Sequence, residues 1–128
     1  MDAPILRVVV QRTDMDCGVA CLAMICGVLY ENALCAVAQI QPDVCVKGLY
    51  QHQMIRAAKI LGVTMRAQRR YDLENDTGIL CVSTKKWKHD HLVVIKGGLI
   101  VDTDGTIWDS DVYMSANKAK LGSLLVVV

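Results

Sequence analysis

The hydrophobic positions change rhythm once along the chain, near residue 63, dividing the sequence into a helical half and an extended half. Residues 5–10 are valine-rich and alternate poorly, which predicts a short buried strand. Residues 11–16 (QRTDMD) are polar and read as a loop. Residues 17–29 (CGVACLAMICGVL) are apolar on every side, the pattern of a helix through the middle of a core. A second helix is predicted over 32–40, with Leu34, Val37, Ala38 and Ile40 on one face. Residues 41–47 carry Pro42 and read as a loop. Gly48 then opens a third helix over 49–61, where Met54, Ile55, Ala58 and Leu61 keep helical spacing and Gly62 provides the stop.

From Val63 the pattern becomes extended. Strands are predicted over 63–68, 79–84, 91–96, 99–102, 106–109 and 123–128, with hairpin turns at Gly97-Gly98 and Asp104-Gly105. A short helix over 115–121 precedes the last strand. Helices first and an antiparallel sheet afterwards make an α+β domain in two halves. With no repeat, low-complexity tract or linker, residues 1–128 read as a single domain.

Composition narrows the function classes. Hydrophobic residues are 53% of 128 and charged residues 21%, which excludes a disordered chain. Fourteen Lys+Arg against thirteen Asp+Glu leave +1, without the basic bias of a phosphate-backbone binder, so no nucleic-acid partner is expected. The longest apolar run, residues 17–30, is too short to span a bilayer, so no membrane segment is expected. The first residues lack a basic leader and a cleavage site, which argues against a signal peptide and for a cytoplasmic location. Thiols stay reduced in that compartment. The six cysteines include no Cys-x-x-Cys and match no zinc spacing, so neither a metal nor a cofactor is expected.

Cys17 differs from the other five cysteines by position. It follows the polar loop and begins the central helix, where the positive end of the helix dipole favours a thiolate. Gly18 lets a substrate approach the backbone, and free N–H groups of the first turn can donate to an oxyanion. Cys21, Cys26, Cys35, Cys45 and Cys81 read as packing. Of the three histidines, His52 falls inside the third helix on a polar face. His91 stands at the mouth of the strand His-Leu-Val-Val-Ile. The hairpin over 97–98 can return Asp102 to it, fixing the imidazole tautomer. The order Cys, His, Asp is that of papain-like nucleophilic sites.

The segment from Gln11 through Asp16-Cys17-Gly18 into the apolar helix resembles a known family. These are the bacteriocin-processing cysteine peptidases that cut after double-glycine leaders, a papain-like group. The resemblance continues through Lys47-Gly48-Leu49, residues 57–63, Ile79-Leu80-Cys81-Val82, His91-Leu92-Val93-Val94-Ile95 and Asp102, and so covers almost the whole chain. It implies a papain-like fold with a cleft between the halves, and a peptide or protein substrate cut after small residues such as Gly-Gly. It implies Cys17 as nucleophile, His91 as base, Asp102 as its orienting carboxylate and Gln11 as the oxyanion-hole donor. Family members are commonly joined to a membrane exporter with an ATPase. This chain has no membrane run and no Gly-rich Lys-Ser/Thr phosphate loop, so it reads as a peptidase domain without the exporter. The family's Asp-Pro is Asp102-Thr103 here, which keeps Asp104 and Asp109 as candidates for the third residue.

Trp87, in the basic stretch Lys85 to His91, is expected either as a lip of the cleft or as a solvated hairpin tip. Arg66, Arg69 and Arg70 read as an exposed strand face. Two other classes fit the residues: a non-catalytic module that binds a leader or partner peptide in the same cleft, and a cysteine-rich redox or metal protein.

Overall fold

The apolar stretch that opens the helical half folds as helix α1 (Cys17–Cys26) and stops three residues before the hydrophobic pattern does. Gly27 ends it in the left-handed conformation, φ 66°, with its N–H returning to the Ala23 carbonyl. Leu29 is then extended and starts α2 (Tyr30–Ala38), two residues earlier than the spacing predicts. The computed structural model describes residues 6–128. Residue 5 of the expected first strand, and the leader expectation for the first residues, lie outside the described residues. Residues 6–10 form no strand. Leu6 and Val9 nonetheless pack on the helical core, while Val8 and Val10 are exposed, so the segment is anchored by two side chains without pairing.

Residues 41–47 are not all loop. Val44–Lys47 make a single helical turn, α3, whose end is closed by the Gly48 N–H on the Val44 carbonyl at 2.8 Å. Helix α4 spans Gln51–Ile60, started by a box in which the Tyr50 N–H donates to the Gln53 side chain at 2.9 Å. Seven consecutive residues of α1, Gly18 to Met24, are buried, as its all-round apolar sequence requires. Around α1 pack α2, α4 and, from below, the sheet.

Six antiparallel strands make that sheet: β1 (Met65–Gln68), β2 (Gly78–Ser83), β3 (His91–Lys96), β4 (Leu99–Val101), β5 (Ile107–Asp109) and β6 (Lys120–Val127). Their spatial order is β1-β6-β2-β3-β4-β5, so the last strand is inserted between the first two. Period-two alternation divides the side chains between two cores. Ile79, Val94, Val101 and Leu125 face the helices, while Leu80, Val93, Ile95, Ile100 and Leu124 face a second cluster around Tyr113.

Strand β6 begins three residues before the sequence suggests, because Gly122 and Ser123 form an irregularity in the strand and not its boundary. The register against β2 shifts between Leu80 and Val82. A Cβ on Gly122 would sit 2.9 Å from the Cys81 carbonyl oxygen, so the backbones approach more closely there than a side chain permits. The helix expected over 115–121 is α5, Ser110–Asn117. It starts earlier because the Asp109 carboxylate caps it, accepting from the N–H groups of Asp111 and Val112. Among the described residues no single helix is long and apolar enough to cross a membrane.

Candidate active site

The polar loop before α1 is wound around one carboxylate. Asp16 is fully buried. Its Oδ2 accepts from the Arg12 N–H at 2.8 Å and the Tyr30 hydroxyl at 2.5 Å. Its Oδ1 accepts from the Thr13 N–H at 2.8 Å and the Thr13 hydroxyl at 2.9 Å. Burial alone would raise the Asp16 pKa, but these bonds outweigh it and hold the carboxyl below its ordinary value. The Arg12 guanidinium lies 4.0 Å over the Tyr30 ring and reaches Glu31 at 2.6 Å, closing the outside of the loop. Sequence reading took the loop as mere polarity. The signal available was its local pattern, a Thr and an Asp three residues apart that form a side-chain-closed turn.

Cys17, at the first position of α1, is thereby delivered to the wall of a cleft of about 1050 Å³ between the helical half and the sheet. Gly18 lies under two leucines: a Cβ there would stand 3.2 Å from Leu49 Cδ1 and 3.4 Å from Leu92 Cδ1. Across the cleft floor, the Gln51 amide of α4 donates to the Ser123 hydroxyl of β6.

His91 begins β3, and its side chain is hydrogen-bonded to Asp102 and close enough to Cys17, which shares the cleft lining with it, to interact electrostatically. The register explains the second contact. Val94 pairs with Val101, so one further step sets Asp102 opposite Val93, on the same face as His91 and diagonal to it. His91 Nε2 donates to Asp102 Oδ1 at 2.7 Å, which leaves Nδ1 as the nitrogen for the thiol. Burial alone would lower the His91 pKa; the hydrogen bond to Asp102 and the nearby Cys17 overcome it and raise the pKa to about 9. Asp102 moves the opposite way, below the usual carboxylate value in spite of its burial, because His91, the Thr103 N–H and Tyr113 all favour its charge.

Two partners of Asp102 escaped sequence reading. The Thr103 N–H donates to Oδ1 at 2.7 Å, and the Tyr113 hydroxyl donates to Oδ2 at 3.1 Å from the second core. Tyr113 comes from α5, whose early start is what brings it there. Thr103 also ties the two loops together. Its carbonyl accepts the Gln11 N–H at 2.8 Å, and its hydroxyl donates to Gln11 Oε1. The Gln11 side-chain NH₂ spends one of its two N–H groups on the Thr13 carbonyl at 2.6 Å.

Asp104 and Asp109 are not brought to His91. Asp104 closes its own turn by accepting from the Thr106 N–H at 2.9 Å, and Asp109 caps α5. Trp87 packs edge-on against His91 with centroids 5.3 Å apart and lines the cleft, the lip of the two alternatives. His52 is exposed and stacks on Tyr50. The other cysteines do not share one role. Cys21 is fully buried, Cys35 is exposed and Cys81 lines the cleft, so packing describes neither of the last two. Burial raises the pKa of Cys21, Cys26 (to about 11) and Cys81, keeping each a neutral thiol.

Residues 6–118 match the profile of the peptidase C39 family. The fold is similar to that in the crystal structure of a double glycine motif protease from an AMS/PCAT transporter in complex with the leader peptide. The TM-score is 0.64 at 20% identity, over 96% of this chain and 91% of that one. Among curated proteins nothing matches. The α+β architecture is thus of papain-like type, and the chain belongs to the peptidase C39 family, a family of cysteine peptidases.

Proposed function

We propose that residues 1–128 act as one peptidase domain that hydrolyses a peptide bond after small residues, such as the Gly-Gly that ends a leader, through Cys17, His91 and Asp102. The observation that carries this reading is His91, hydrogen-bonded to Asp102, lining the same open cleft as Cys17. With its pKa near 9, His91 is an imidazolium at neutral pH, the partner that a nucleophilic thiolate needs.

The Cys17 sulfur adds to the peptide carbonyl carbon, and the carbonyl π pair moves onto oxygen. The backbone N–H of Cys17 and the second amide N–H of Gln11 serve that oxyanion, one such donor being worth about 3 kcal/mol of barrier. His91 then gives its Nδ1 proton to the departing amine as the C–N bond breaks, leaving a thioester. Water, losing a proton to His91, attacks the thioester and releases the carboxylic acid and the Cys17 thiolate, which restores the thiolate–imidazolium pair for the next cycle. Asp102 keeps the ring oriented and favours its charged form throughout. Leu49 and Leu92, closed over Gly18 beside the nucleophile, favour residues without bulk before the cut. The similar protease was crystallised with a leader peptide, which supports a peptide of that kind as substrate. A reducing compartment, the cytoplasm, suits a thiol nucleophile and five further free cysteines.

The direct test is a synthetic peptide carrying one Gly-Gly, its products read by mass spectrometry. We expect one cut after the second glycine, and replacement of that glycine by leucine should lower kcat/KM at least about 100-fold. Equal cutting of both peptides would remove the small-residue specificity. The rate should also fall as pH rises through about 9, where His91 loses the proton required by the leaving amine.

Tyr113 acts as a positioning residue. Tyr113→Phe should cost about 1 kcal/mol of stability and lower kcat several-fold with KM unchanged, because one Asp102 oxygen loses its donor. An unchanged kcat would reduce Tyr113 to a packing role.

A further inference from the structure

Lys86 lines two adjoining hollows. One is the catalytic cleft. The other, of about 530 Å³, is walled by Ser83, Thr84, Lys85, Lys86, Lys118 and Lys120, and nothing in the reaction above uses it. Four ammonium groups around one hollow, in a chain whose net charge is +1, are a local feature of this surface.

Its place relative to His91 follows from the sheet. Val82 pairs with His91 on one side and Leu121 on the other, and Ser83 pairs with Lys120 one rung further out. Lys120 therefore stands two strand spacings from the column of His91, about 10 Å. The loop over 84–90 that joins the two places carries Lys85, Lys86 and Lys88 against the single carboxylate of Asp90. The hollow is braced, because the Thr84 hydroxyl donates to the Asn117 carbonyl at 3.0 Å. Lys118 follows directly, held in the left-handed conformation at the end of α5.

Chemistry gives the direction. A base that protonates the departing amine has to face the residues after the scissile bond, so the segment that leaves passes His91 and its neighbour Trp87. We infer that the lysine-walled hollow is a subsite for that departing segment and selects acidic side chains about three residues after the cut, the reach of an extended chain over about 10 Å. The inference rests on the peptidase reading and adds to it a preference on the side of the released product. Ammonium groups beside a cleft steer and hold carboxylates, an effect that weakens with salt.

Three peptides identical through Gly-Gly and then neutral, acidic or lysine-rich over the next four residues test it, with a fourth that carries the acids before the glycines. The parent chain should cut the acidic peptide about tenfold better than the neutral one at low salt, through KM, and the lysine-rich one worst. Salt at about 0.5 M should erase the difference, and the double variant Lys85→Glu, Lys120→Glu should reverse the order. Equal kcat/KM for all peptides, or a preference only when the acids precede the glycines, would overturn the subsite while the peptidase reading stands. If no peptide is cut, that reading falls. The subsite is then decided by fluorescence anisotropy of the acidic four-residue product peptide, and equal affinity for parent and double variant would overturn it.

Discussion

Cys17→Ala is expected to abolish cleavage of a Gly-Gly peptide, by at least about 10,000-fold, while the melting temperature stays within about 2 °C of the parent. Both halves follow from position. In the proposed reaction the sulfur supplies the bond-forming electron pair, and no neighbouring thiol replaces it, because burial keeps Cys21 and Cys81 neutral. Yet Cys17 is only partly buried at the cleft wall, so its deletion opens no core cavity. The His91 pKa, raised in part by Cys17, should drop below 9 in the variant, which an NMR titration reads directly. Undiminished cleavage by Cys17→Ala would move the chemistry elsewhere. A biological effect that survives without any cleavage would favour the peptide-binding alternative.

Asp16→Ala should be the most damaging single change in the helical half. Four hydrogen bonds end on that carboxylate, and its removal leaves the Tyr30 hydroxyl and two backbone N–H groups without their acceptor. The expected loss is about 3 kcal/mol, a fall in melting temperature of roughly 10 °C for a chain of this size. Activity should fall further than stability predicts, since the same loop positions Cys17 and Gln11. The folded-state pKa of Asp16 is depressed, so its contribution is present above the ordinary carboxylate range and is lost as pH falls through the folded value. The gap between parent and variant should therefore shrink below about pH 4. Asp14→Ala, at an exposed position of the same loop, is the control for stability and should leave the melting temperature unchanged.

The sequence carried the helical half and the sheet because both have strong periodicity, and it carried Cys17, His91 and Asp102 as candidates because a helix start, a strand start and a hairpin set their places. It missed what depends on backbone geometry without periodicity. A valine-rich segment such as 6–10 looks the same whether or not a strand lies beside it. Gly122 reads as a strand end, although a bulge uses the same residue to continue one. Asp109 was weighed as a catalytic carboxylate when its capping of α5 was the simpler signal, and with that helix misplaced Tyr113 could not be seen near Asp102. Asp16 was hidden for another reason: two of its four donors are backbone N–H groups, which every sequence has, and a third, the Tyr30 hydroxyl, is fourteen residues away.

The place of β6 has a bearing on how this molecule comes into being. The hairpins β2-β3-β4 join near neighbours in sequence and can form within microseconds of emerging. β1 and the other edge of β2, by contrast, wait for residues 120–127, since Met65 pairs with Val127 and Gly78 with Val126. Long-range pairing of this kind forms more slowly than local hairpins, because the intervening chain must be closed first. It also completes the cleft floor, where Ser123 meets Gln51. A ribosome-bound chain thus holds His91 and Asp102 together early but lacks a finished groove until the strand that fills the middle of the sheet has been made.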